Sequence, residues 1–272
     1  MNAYADVTTF KSAEFAGVTE NTEQARFRRL LEAASRYLDT RCERHFYCWE
    51  GTRYYDGATR LYPDDILSVT TLKLDEDGDG TYEETMATTD YVLYPLNGFP
   101  KSWVEISSDS DYGSFASGTK KGVEIVGVFG YGDGYNATPY VTTGQTVQNN
   151  PLAADGTTLT VTLATGLSAG ITLRIGDEQI YIEAILNDTQ CTIKRGVNGT
   201  TAAAHVQDTA IYSYEYPQMI WQATLILAMR AWKRKDSAFQ DVVGSPETGT
   251  LITYKDEDPD VKQIIDRYRR RV

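Results

Sequence analysis

At 272 residues and 41% hydrophobic content the chain can bury a sizeable core. Its formal net charge of -12 disfavours a protein that coats DNA, because such proteins neutralise phosphates with Lys and Arg. No run approaches the roughly 18 apolar residues of a membrane span, the opening MNAYADVTTFKSAEF has no leader character, and Cys42, Cys48 and Cys191 make no disulfide framework, so a reducing compartment is expected.

The charge is uneven. Residues 51–216 hold 9 basic and 22 acidic side chains, whereas the two flanks together hold 17 basic and 16 acidic. Nineteen tyrosines against eight phenylalanines give half-polar aromatic surface of the kind used in assembly contacts.

From about Asn21 to Cys42, Phe27, Leu30, Leu31, Ala34, Leu38 and Cys42 recur at helical spacing between charged residues and predict an amphipathic helix. Residues 51–132 alternate in short Val-, Thr- and Tyr-rich runs punctuated by Asp-Gly, Asn-Gly and Pro, which predicts a small, mostly antiparallel sheet. Between Tyr135 and Tyr216 at least four further strand-like runs occur with Gly/Asn/Asp turns, enough for a small β-domain or barrel set into the chain. Pro217 then opens a helix with Ile220, Trp221, Leu225, Met229 and Trp232 on nearly every side, so it must be covered by other helices or by a neighbouring subunit. Lys233-Arg-Lys235 suits its dipole; Gly244 to Gly249 reads as a loop, and Asp258-Pro259 caps a last helix striped with Val261, Ile264, Ile265 and Tyr268.

Signals of catalysis are poor. His45 and His205 are far apart in sequence, and no nucleophile-elbow, phosphate-loop or zincin pattern occurs. Cys42, His45 and Cys48 offer three ligands that spread around a helix end and lack a fourth. Gly127, Gly130, Gly132 and Gly134 follow a strand but precede no helix that would hold a phosphate. The Asn136, Asn187 and Asn198 acceptor patterns are inert without a secretory route. Asp177 and Glu178, adjacent on a strand, point to opposite faces and cannot flank one glycosidic bond. In Leu74-Asp-Glu-Asp-Gly-Asp-Gly80, Asp75, Asp77 and Asp79 match the first calcium positions of an EF-hand, but the twelfth is Met86 and the flanks are strand-like. A hairpin turn, with calcium as the lesser reading, accounts for them, so no catalytic residue and no cofactor are expected.

Leu31-Glu-Ala-Ala-Ser-Arg-Tyr-Leu-Asp39, Arg44-His-Phe-Tyr47, Leu61-Tyr-Pro-Asp-Asp-Ile-Leu-Ser-Val69, the Asp-Gly hairpin, Asp90-Tyr-Val-Leu-Tyr-Pro95, Gly122-Val-Glu-Ile-Val-Gly-Val-Phe-Gly-Tyr-Gly132, the helix from Ile220 to Lys235 and Asp258 to Arg270 together resemble the head-tail adaptor (connector) proteins of long-tailed bacteriophages over about two thirds of the chain. The resemblance implies an α+β fold: a helical-bundle core with a β-hairpin or small antiparallel sheet from residues 1–135 and 216–272, interrupted by an inserted all-β domain over 136–215. It also implies a structural virion protein, not an enzyme, made in the host cytoplasm and placed at the neck. There it would form a ring, an expected dodecamer, beneath the portal protein, extend the DNA channel without binding the genome specifically, and dock the stopper or tail-completion protein. Arg267, Tyr268, Arg269, Arg270 and Arg271 are the portal-docking candidates under this reading, and the helix from Ile220 to Trp232 supplies subunit packing. The acidic middle would line or approach the lumen, and the remainder is expected to fold without the insert, an outward-facing decoration. The alternative is another virion component, of baseplate or tail, whose β-module carries assembly.

Overall fold

Phe27, Leu31, Ala34, Leu38 and Cys42 are all buried, and their spacing is what makes helix α2 (Gln24–Cys42) amphipathic. It ends at Glu43, whose backbone turns left-handed, and the Arg44 amide reaches back to the Asp39 carbonyl. The computed structural model describes residues 2–12, 15–17, 23–164, 166–234, 242–245, 250–253 and 258–271. Short α1 (Val7–Lys11) is capped by Asp6, α3 spans Gln218–Arg234 and α4 spans Pro259–Tyr268, capped by Asp258. Lys235 and residues 246–249 lie outside the described residues; Gly244 and Ser245 belong to a hairpin strand.

Helix α3 lies between two apolar clusters. Leu225, Ala228 and Trp232 pack with Phe10, Phe27 and Leu31, whereas Ile220 and Ala223 pack with Leu38, Cys42, Ile264 and Ile265. Its nearly all-round hydrophobicity is therefore met largely inside one chain.

The rest is sheet. One sheet runs β1 (Trp49–Tyr55), β7 (Val123–Phe129), β3 (Ile66–Leu74), β4 (Glu84–Met86), in that order, and a second runs β2 (Arg60–Leu61), β6 (Trp103–Ile106), β5 (Tyr91–Tyr94). An isolated Ile66–Lys101 bridge links them, and a shared core containing Leu72, Val104, Phe115, Ile125 and Phe129 fills the space between. The third sheet runs β8 (Tyr140–Thr146), β13 (Ala210–Tyr214), β10 (Thr172–Ile175), β11 (Glu178–Asn187), β12 (Gln190–Lys194), β9 (Thr158–Thr160). A bridge between Val147 and Val161 joins its two edges, so it closes on itself around Leu159, Leu173, Ile180, Ile193 and Ile211. A separate hairpin pairs β14 (Val242–Ser245) with β15 (Thr250–Thr253).

The expected helical-bundle core is thus corrected. Among the described residues the protein is mostly β: 13 strands form three antiparallel sheets, two more form the separate hairpin, and 21% of those residues are helical. Residues 51–132, expected as a small, mostly antiparallel sheet beside a helical core, hold most of a larger unit: residues 49–129 make seven strands in two sheets with their own core. Those strands are two to nine residues long, and part of that core, Phe115 and Ala116, comes from turn segments that carry no periodicity.

The closed β-module is bound tightly to the remainder. Ala169 enters the helical core, the Val7 amide donates to its carbonyl, and the Ser168 hydroxyl accepts the Thr8 amide at 2.9 Å. Gly199, with φ of +88°, lies so close to β1 that an added Cβ would sit 1.8 Å from the Glu50 carbonyl oxygen.

Candidate functional site

The three alternating aspartates are turn formers. Asp75 is buried, and its two carboxylate oxygens accept the Gly78 and Gly80 amides at 2.7 and 2.9 Å; Asp77 and Asp79 each accept the amide two residues on. The loop joins β3 to β4 with Leu74 opposite Glu84, as a hairpin. Oxygens of Asp75, Asp77 and Glu83 come within 4.8 Å of one another. Asp79 stands outside that group, and Glu83 was not anticipated, because its approach depends on the loop closing rather than on spacing.

Cys42, His45 and Cys48 do not converge. Among the described residues, Asp75, Asp77 and Glu83 form the one group with three potential ligands together. Cys42 belongs to the helical core and Cys48 to a cluster with Leu67 and Tyr214. Burial pushes the Cys42 thiol up to about 12 and raises that of Cys48 further, which leaves both protonated and poor ligands. Burial also lowers the His45 pKa, and its Nδ1 hydrogen-bonds the Tyr47 carbonyl at 2.9 Å.

Asp177 and Glu178 separate, although not as adjacent strand residues: Asp177 lies in the turn between β10 and β11, and Glu178 begins β11. Asp177 is fully exposed and pairs with Arg174 at 2.9 Å, whereas Glu178 is buried. Glu178 accepts Arg195 Nε and Nη2 at 2.8 and 2.7 Å, His205 Nε2 at 2.7 Å, and the Gly196 and Ala203 amides. With its oxygens so occupied, it ties the 195–205 segment to the start of β11.

The basic end of α4 is partly committed within the chain. Arg269 pairs with Glu43, its Nε at 3.0 Å. The Arg270 amide donates to the Cys42 carbonyl at 2.9 Å while its guanidinium reaches the Pro63 carbonyl and Asp64. Tyr268 is half-buried against Phe46 and Tyr131. Arg267 and Arg271 are exposed. Two further exposed tyrosines belong to this end: Tyr62, 52% exposed, whose carbonyl accepts Arg270 and whose hydroxyl accepts Arg60, and Tyr135, 80% exposed. Tyr135 is close enough to Tyr131 and Tyr268 to oppose their ionisation, so these rings share one surface. The signal was the Gly132-x-Gly134 run before it, whose positive φ angles turn the chain outward.

Of the packing candidates on α3, Ile220, Leu225 and Trp232 are buried in the chain's own core, whereas Trp221 and Met229 are half-buried. Trp221 edges a groove of about 450 Å³ between the N-terminal segment and the β-module, with Tyr4, Asp6, Ser168 and Tyr214 on its walls. No described helix is long and apolar enough to cross a membrane. No known protein-family model matches the chain, and no curated protein is found as a relative.

Proposed function

We propose that this chain is a structural virion protein, a head-tail adaptor that assembles as a ring under the portal, extends the DNA channel and docks the stopper or tail-completion protein. The observation that supports it most is convergence. The segments carrying the resemblance lie far apart in sequence, yet Leu38 and Cys42 of α2, Phe46 beyond it, Ile220 and Ala223 of α3, and Val261, Ile264 and Ile265 of α4 form one cluster, with Tyr131 of the glycine-rich exit packed against it. A shared cluster is what a common ancestral unit interrupted by a later β-module would leave behind. The acidic middle of the chain suits a channel wall past which DNA slides, because like charge prevents adhesion.

A second reading is favoured by the sheet content: a baseplate or tail component in which the closed β-module carries assembly. Thirteen strands in three sheets suit it better than an α-rich adaptor. Negative-stain electron microscopy of the purified chain, alone and mixed with portal rings, separates the two. The adaptor reading expects rings that stack on the portal; isolated particles with no affinity for it would sink that reading.

A further inference from the structure

Strand β3 connects two surfaces of unlike character. It starts at Ile66, immediately after the Tyr62–Asp65 segment that Arg270 grips, and β7, which pairs with it, leaves the sheet there towards Tyr135. It ends eight residues later at Leu74, where the acidic turn begins. At about 3.3 Å per residue, the two ends are roughly 26 Å apart.

At the first end the exposed groups are Tyr62, Tyr135, Arg267 and Arg271, with Tyr268 half-buried among them. Its acids are mostly taken: Glu43 by Arg269, Asp64 by Arg53 and Arg270, Asp65 by Arg44, and Asp133 by the Tyr135 and Asn136 amides, leaving Asp266 exposed beside Arg267. At the other end Glu76, Asp77, Asp79 and Glu83 are exposed. Glu84 and Asp90 are near enough to act with Glu76 on the Tyr112 phenol, which Glu84 also accepts. The lysines there are engaged, Lys120 with Asp56 and Lys121 over the Tyr54 ring.

Tyrosine and arginine on an exposed, otherwise polar surface are the composition of a contact centre. The two ends are complementary in charge but too far apart to meet within one chain. We propose that the protein associates head to tail with a second copy, the Tyr62, Tyr135, Arg267 and Arg271 surface of one copy receiving the β3–β4 turn of the next. Such a contact is heterologous, so repetition closes a ring when the rotation between neighbours permits and otherwise extends a filament. This deepens the ring reading and rests on it only for closure.

The test is particle mass by mass photometry of the full chain at about 50 and about 500 mM sodium chloride, on either side of the ionic strength at which the screening length is about 10 Å. The wild type is expected to form multimers at the lower salt that dissociate at the higher. Arg267→Glu with Arg271→Glu, and separately Asp77→Lys with Asp79→Lys, should each be monomeric, and should assemble again when the two variants are mixed. Circular dichroism checks that both fold, and Tyr135→Ser, at a side chain that packs little, should weaken assembly without touching the fold. Wild-type monomers at both salts, or multimers indifferent to both reversals, would overturn the proposal. Rings that persist through both reversals remove this interface while leaving the ring reading standing; monomers that nonetheless bind portal rings remove it while leaving portal docking standing.

Discussion

The Tyr4 hydroxyl donates to the Asp39 carboxylate while accepting the Phe46 amide, so one buried phenol joins the N-terminal segment, helix α2 and the chain leaving that helix. Arg36 completes the group, with Nε 2.8 Å from Asp39. Replacing Tyr4 by Phe keeps the ring contacts with Phe46 and Tyr216 but leaves a buried amide without its acceptor. A loss of about 1–3 kcal/mol is expected, measurable by urea unfolding.

Asp39 also sets a pH dependence. Burial holds its carboxyl up at about 6, against the opposing influence of Arg36 and the hydrogen bonds from Tyr4 and Arg36. A folded pKa above the unfolded value of about 3.9 means a contribution that is complete below about pH 3.9 and lost as the pH rises through 6. Asp39→Asn abolishes that loss. Relative to wild type, the variant should gain on the order of 3 kcal/mol between about pH 4 and about pH 7; parallel stability curves across that window would show that Asp39 does not titrate there.

Glu178 behaves in the opposite sense. Burial alone would raise its pKa, but the hydrogen bonds from Arg195, His205 and the Ala203 and Gly196 amides outweigh it and the pKa is lowered. Its stabilisation is therefore present above the unfolded value of about 4.3 and lost as the pH falls through the folded one. Removing the carboxylate at neutral pH strands the buried Arg195 guanidinium, so Glu178→Ala should cost about 3–5 kcal/mol and lower the unfolding midpoint of the β-module. Exposed Asp177→Ala is the control, with less than about 1 kcal/mol expected.

The acidic turn divides by burial. Asp75, 2% exposed, holds the Gly78 and Gly80 amides, so Asp75→Ala should destabilise by about 1–3 kcal/mol and disorder the hairpin tip in amide exchange. Asp79→Ala removes an exposed bond to the Thr81 amide, and about 0.5 kcal/mol or less is expected. Equal costs would mean that the loop is not held by Asp75.

What was legible in the sequence follows from period and length. Helix α2 and the stripe of α4 were readable because Phe27 to Cys42 and Val261 to Ile265 repeat over whole turns. The Asp-Gly turn and the β-rich stretch from Tyr140 to Tyr214 were readable from turn chemistry and alternation. The balance of helix to sheet was not, because long helices dominate a periodicity reading while two-residue β2 and three-residue β4 leave almost no trace. Nor was the division of the terminal arginines. Nothing in Arg267-Tyr-Arg-Arg-Arg271 tells that Arg269 and Arg270 fold back on Glu43 and Pro63 while Arg267 and Arg271 do not.

The same blindness applied to how firmly the β-module is fixed. Gln179, fully buried, donates through Nε2 to the Cys48 carbonyl at 3.1 Å and to Glu50 at 3.3 Å, and its Oε1 accepts Asn198 Nδ2 at 2.8 Å. Asn198 in turn bonds Asn2, which also accepts the Thr172 hydroxyl, while the Tyr181 hydroxyl donates to Glu32 on α2. These links run from the module to β1, to α2 and to the N-terminal segment at once. Gln179→Ala should therefore cost about 1–3 kcal/mol by taking the Gln179 partner from the Cys48 carbonyl and from one of the two Asn198 Nδ2 hydrogens, with faster amide exchange on both sides of the junction. Deleting residues 136–215 should go further. It removes Ala169 from the helical core and uncovers Cys48, so the remainder is expected to lose cooperative unfolding in urea, contrary to the expectation from sequence. A truncated chain that unfolds with a single sharp transition would show that the module is an independent decoration after all.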